Sequence, residues 1–162
     1  MSDAVRGWLF VAAQAALLAV LVFAPGGDDW VVSGWMRAVG TIGRLGGAAF
    51  IVIGGVRLGV GASVHPEPTS RAILRTTGPY RFVRHPIYSG VLALAAAIAL
   101  TSGSWAHVAA FVALVIVLAV KARFEERLLV RRFEGYATYA AGTGRFVPGV
   151  GRGVSGEVEP GT

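Results

Sequence analysis

Apolar residues in this chain gather into four runs, separated by segments of sharply different polarity. The first, Trp8 to Ala24, is interrupted only by Gln14 and stops at Pro25-Gly26-Gly27-Asp28-Asp29. The second, about Met36 to Ala62, is glycine-rich and carries Arg44 and Arg57 towards its two ends. A long polar connection, 63–85, leads to a third run, Ile87 to Leu100. Thr101-Ser102-Gly103-Ser104 reads as a tight turn, and the fourth run covers Trp105 to Val120. Runs of this length predict helices that cross a membrane. The third and fourth are short and closely joined, so they predict an antiparallel helical hairpin whose ends extend by a turn. Lys121 to Glu134 continues as a charged helix with an apolar side of Phe124, Leu128, Leu129, Val130 and Phe133, and Gly135 is placed to end it.

The expected fold is therefore an all-α integral membrane protein with about four transmembrane helices. Two N-terminal spans (1–62) precede the helical hairpin, and a cytoplasmic C-terminal amphipathic helix follows it. Residues 63–148 form the chemically interesting region, and the glycine-rich 149–162 reads as a disordered tail. In the second run, Gly43-x-x-x-Gly47 and Gly55-x-x-x-Gly59 each put small residues on one helix face. Such a face lets a neighbouring helix approach closely, within the chain or in a homo-oligomer. The first run also has the outline of a signal peptide, but Pro25 directly after Ala24 argues against cleavage.

Composition agrees with the pattern. The chain is 54% hydrophobic and only 15% charged, with a mean hydropathy of +0.63, whereas a soluble domain carries roughly a quarter charged residues. It contains no cysteine, which excludes disulfides, thiolate metal sites and cysteine nucleophiles. The net charge of +6 comes almost wholly from arginine. Those arginines flank apolar runs, which favours membrane lipids and topology over nucleic acid as the explanation. Between the first two runs the connection is acidic, between the second and third it is basic, and Lys121, Arg123, Arg127, Arg131 and Arg132 follow the fourth. The positive-inside rule then puts both termini and the 63–85 connection in the cytoplasm, at the inner or plasma membrane.

Chemistry concentrates in Thr76-Thr77-Gly78-Pro79-Tyr80-Arg81-Phe82-Val83-Arg84-His85-Pro86-Ile87-Tyr88-Ser89-Gly90 and in the helix bearing Lys121, Glu125 and Glu126. The two X-Pro steps exclude a helix interior and suit an ordered loop, with Pro86 in the first turn of the next helix. The hairpin folds the two segments together, giving a carboxylate pair, an imidazole, tyrosine rings and cations beside lipid. Each has a plainer reading: a surface ion-pair face for the glutamates, interface aromatics for Tyr80 and Tyr88, and a helix cap for His85. Their concentration in two short segments favours function. The histidines lack metal-ligand spacing, and no nucleophile elbow is present.

This combination resembles the isoprenylcysteine carboxyl methyltransferase family, which is itself similar to phospholipid methyltransferases and related small membrane methyltransferases. The resemblance rests on the Thr76–Gly90 stretch, the hairpin, Glu125-Glu126-x-x-Leu129, Phe133, Tyr136-x-x-Tyr139 and Arg145-Phe146-Val147-Pro148. It implies S-adenosylmethionine as donor, bound on the cytosolic side. Tyr80, His85, Pro86, Ile87 and Tyr88 match cofactor-contacting positions, as do Ala72, Ile73, Leu74 and Arg75, Glu125 and, further off, His65. Lys121 matches a basic position towards the substrate and, with Glu126, forms the expected catalytic pair. Lysine stands here where arginine is common, and it lacks a planar fork for a carboxylate. The acceptor stays open among a prenylcysteine carboxylate, a phospholipid amine, a small thiol and a hydrophobic metabolite. Methyl transfer is an in-line displacement that needs alignment and water exclusion more than acid-base help. The rival readings are a non-catalytic lipid-binding or assembly module and a sterol-reductase-like NADPH enzyme.

Because the chain is free of cysteine, topology is open to a direct check. Single cysteines at Arg75 and Arg81 are expected to react with an impermeant maleimide only from the cytoplasmic face. Labelling from outside intact cells would overturn the topology.

Overall fold

The computed structural model describes residues 2–58 and 74–153. Among the described residues five α-helices follow one another: α1 (Asp3–Phe23), α2 (Gly34–Leu58), α3 (Pro86–Thr101), α4 (Trp105–Arg132) and α5 (Tyr136–Gly142). A short 3-10 turn, Gly78–Arg81, precedes α3. Among the described residues the single extended pairing is a parallel bridge between Val83 and Gly144. The protein is thus an all-α membrane protein, as its hydropathy pattern predicts.

Three of the helices, α1, α2 and α4, are long and apolar enough to cross a membrane. At 16 residues, α3 is about 24 Å long against a hydrocarbon core of about 30 Å. Ile42, Leu45, Val52 and Val56 on α2, and Val112, Ile116 and Val120 on α4, are exposed. In water such a surface would be an aggregation liability; in a bilayer it is the natural outer face. The fourth apolar run and the charged helix after it are one uninterrupted helix, α4. Lysine, alanine and arginine are good helix formers, so nothing around Lys121-Ala122-Arg123 breaks it. It ends at Arg132 with Phe133 as its cap, so Gly135 does not end it and instead precedes α5.

Helix α2 packs on α3, α1 packs on α4, and α3 lies against α4 and α1. Leu21, Ala95, Ala110, Leu114 and Leu118 form the buried core. At the end away from the polar loop, the α1–α2 connection packs on the α3–α4 turn. There Gly27 N–H donates to Ser102 O and Asp29 N–H to Gly103 O, each at 2.9 Å. The Asp29 carboxylate accepts from Trp105 N–H at 2.8 Å, capping α4 from a separate segment. Arg44, polar within a span, donates to the Thr101 hydroxyl.

The α2–α3 contact is made backbone to backbone. A Cβ on Gly47 would lie 2.7 Å from Gly90 O, and one on Gly90 would lie 2.6 Å from Gly47 O. Gly43 and Gly54 face Ala97 and Ile87 on the same stripe. Of the expected glycine pairs, Gly43 and Gly47 serve this contact, Gly55 faces open space, and Gly59 lies outside the described residues. Gly90→Ala is expected to cost about 1–3 kcal/mol by overpacking. Gly55→Ala is expected to be neutral or to stabilise by up to about 1 kcal/mol through helix propensity. Thermal unfolding of the two variants in detergent checks the contrast.

Candidate functional site

Pro86 fixes the start of α3, and the chain before it is pinned by the C-terminal segment. Arg84 N–H donates to Gly144 O at 2.8 Å and His85 N–H to Arg145 O at 3.1 Å. The Ser89 hydroxyl donates to Phe146 O at 2.6 Å. These bonds hold the loop and residues 144–146 as one unit beside α4.

Under that unit lies a buried ion cluster. The Glu126 side chain is completely buried, as is that of Arg84. Glu126 accepts from Arg84 Nε at 2.9 Å and from Arg145 Nη2 at 2.7 Å. His85 Nε2 lies 3.2 Å from the same carboxylate. The other donors of Arg84 reach main-chain carbonyls. Nη1 donates to Ala140 O at 2.6 Å and Thr143 O at 2.8 Å. Nη2 donates to Gly151 O at 2.8 Å and Gly153 O at 3.2 Å. All five guanidinium N–H groups are therefore used. The hydrogen bond to Glu126 pushes the pKa of Arg145 above its ordinary value. Glu126, expected as a catalytic group, has both oxygens occupied by arginine and a fully buried side chain. The first residues of the expected disordered tail, 149–153, are likewise ordered as acceptors for Arg84, and 154–162 lie outside the described residues.

A second cluster sits beside the first. The His85 and Tyr88 rings stack with centroids 5.3 Å apart and planes 1° from parallel. Phe146 presents itself at 6.0 Å to His85 and 6.3 Å to Tyr88. The Tyr88 hydroxyl donates to Glu125 Oε1 at 2.7 Å, and His85 Nδ1 lies 3.7 Å from Glu125 Oε2. Lys121 Nζ lies 5.1 Å from the Tyr88 ring centre and donates to Gln14 Oε1 at 3.1 Å. His85 does not cap α3 with its side chain; its two nitrogens face the two glutamates instead. The neighbouring glutamates thus differ in kind. Glu126 is saturated, while Glu125 has one strong bond and a rim of aromatic faces, a setting that attracts a cationic or hydrogen-bond-donating ligand.

The remaining expected site residues fall elsewhere. Tyr80 is buried, and its hydroxyl donates to Gly54 O at 3.2 Å. Its carbonyl accepts from the Tyr139 hydroxyl. Burial raises the pKa of Tyr80 and of Tyr139 to about 12, so both remain protonated donors. Pro86 and Ile87 pack on Gly54 of α2 and build the wall rather than the rim. Leu74 is half-buried and Arg75 exposed, while His65, Ala72 and Ile73 lie outside the described residues. Arg84, Arg145, Phe146 and Gln14 were not singled out as site residues. The signals for them were present: an arginine directly before His85-Pro86, the Arg145-Phe146 pair, and a lone amide within an apolar run.

Arg84→Lys keeps the charge but cannot supply five donors. Its expected cost is about 3–5 kcal/mol, as for breaking other buried pairs. The midpoint of thermal unfolding should fall, and limited trypsin digestion should cleave at Arg145 and Arg152 well before it does in the parent chain.

The model of the phospholipid methyltransferase family matches residues 15–135, well over half of the chain. The match takes in the loop, α3 and α4 with Lys121, Glu125 and Glu126, and stops short of Arg145 and Phe146. No curated protein matches the chain significantly. Three spanning-length apolar helices and this family match agree, and the chain belongs to the phospholipid methyltransferase family of membrane methyltransferases.

Proposed function

We propose that the protein is an integral-membrane, S-adenosylmethionine-dependent methyltransferase whose site faces the cytoplasm and whose acceptor is carried by lipid. The observation that carries this reading is the Glu125–Tyr88–His85–Phe146 cluster, at the basic end of the bundle. When bound, S-adenosylmethionine supplies a methyl group on a positively charged sulfur. The residues present suit such a group: one carboxylate with an oxygen free of strong bonds, and three ring faces around it. Glu125 would hold the donor's amino or hydroxyl groups. Tyr88, His85 and Phe146 would attract its charge and keep water away.

Lys121 has a different task. Buried and tied to Gln14 of α1, it stands between this cluster and the α1 side of the bundle. It would orient an acceptor arriving from the membrane, by hydrogen bonding rather than by proton abstraction. The family description favours a phospholipid amine as acceptor. A lysine point charge in place of a guanidinium fork also argues against a prenylcysteine carboxylate. Glu126 takes no part in the transfer and acts through Arg84, Arg145 and His85 as a positioning residue.

Calorimetric titration of the purified protein with S-adenosylmethionine or its demethylated product is expected to show saturable binding. Glu125→Gln should weaken it by about 10- to 100-fold, the equivalent of one charge-assisted hydrogen bond, with the unfolding midpoint little changed. Tyr88→Phe should weaken it less. The absence of binding by the parent chain would sink the proposal.

A further inference from the structure

We propose that a cleft between the amino end of α1 and the carboxyl end of α4 binds a phosphate group, on a face separate from the methyl-transfer cluster. Asp3 and Arg6 of α1 and Phe124, Arg127, Leu128 and Arg131 of α4 line it. On α4 these four residues recur at helical spacing along the flank that meets α1. Glu125 and Glu126 project from other flanks, towards Tyr88 and towards Arg84. The cleft encloses about 120 Å³. That is small beside the roughly 300–1,000 Å³ of a pocket for a drug-sized ligand, and it suits one compact anion.

Electrostatics give the cleft its preference. Among the described residues, Arg84, Arg145 and Arg44 each have hydrogen-bonding partners. The side chains of Arg6, Arg127 and Arg131 have none, and Asp3 forms no ion pair with them. Three guanidiniums from two helices thus share one cleft with a single carboxylate. Their unused planar donors match the oxygens of a phosphate.

The surroundings suggest where that phosphate comes from. Phe124 and Leu128 give the cleft an apolar part, and behind it Phe124 is in ring contact with Phe10 at 6.0 Å. Val5, Trp8 and Leu9 lie exposed on α1 beside it. A membrane lipid fits this arrangement, with its phosphodiester among the arginines and its acyl chains along α1. Free phosphate shares the same chemistry.

The test titrates the purified full chain in neutral detergent with dihexanoyl phosphatidylglycerol and, separately, with inorganic phosphate, following binding by thermophoresis. Each of Arg6→Gln, Arg127→Gln and Arg131→Gln is expected to weaken binding about fivefold, and the Arg127→Gln/Arg131→Gln pair about 25-fold. Arg123→Gln removes the same charge from an exposed position outside the cleft, and it should leave binding unchanged. Tighter binding of the lipid than of phosphate, with this pattern, identifies a headgroup site. Equal binding of both, with the same pattern, identifies a site for phosphate itself. If neither probe binds, or if the double variant loses no more than Arg123→Gln, the proposal fails.

Discussion

A guanidinium buried out of water stays tolerable only when each of its N–H groups finds an acceptor. Arg84 meets that condition by drawing together parts of the chain remote in sequence. Its acceptors are one carboxylate on α4, carbonyls at residues 140 and 143, and carbonyls at residues 151 and 153. Meeting it fixes the path of the chain from α5 to Gly153. That path places Arg145 on Glu126 and Phe146 against His85 and Tyr88. The proposed donor cluster is thus shaped by a charge that never reaches it.

The two adjacent glutamates follow from this. Successive residues on a helix point about 100° apart, so one can face the ion cluster while its neighbour faces the rings. Glu126 neutralises Arg84 and Arg145 and has no surface left for chemistry. Glu125 keeps an oxygen at 3.7 Å from His85 Nδ1, and His85 touches both sides. His85 is therefore the hinge between the scaffold and the proposed donor site. On the α2 side, the glycine contact at Gly47 and Gly90 sets how closely α3 can approach, and so where Tyr88 stands.

Much of this was legible in the chain. Long apolar runs have few alternatives to spanning helices, and Gly43-x-x-x-Gly47 announced a close helix contact that α3 fills. The Pro86 helix start and the convergence of Glu125 with Tyr88 and His85 followed from the hairpin. The division of labour between Glu125 and Glu126 was not legible, because it depends on which flank of α4 meets residues 140–153. The same is true of that segment's order: a glycine-rich stretch signals flexibility, but its bare carbonyls suit an arginine donor. The resemblance marked Tyr80 as a cofactor-contacting position; that its hydroxyl would reach across to Gly54 O depends on long-range packing and was not legible. The continuation of α4 past its apolar run was expected, and the helix stops at Arg132 rather than Glu134.

Methyl transfer to a lipid-borne acceptor is the activity proposed for this bundle. The most direct measurement incubates the purified protein with methyl-labelled S-adenosylmethionine and an extract of total membrane lipids, then separates and identifies the labelled products. Label is expected in a lipid fraction, dependent on the protein and lost in Glu125→Gln. Label confined to water-soluble thiols would contradict the lipid-borne acceptor, and no protein-dependent label in any fraction would contradict methyl transfer itself.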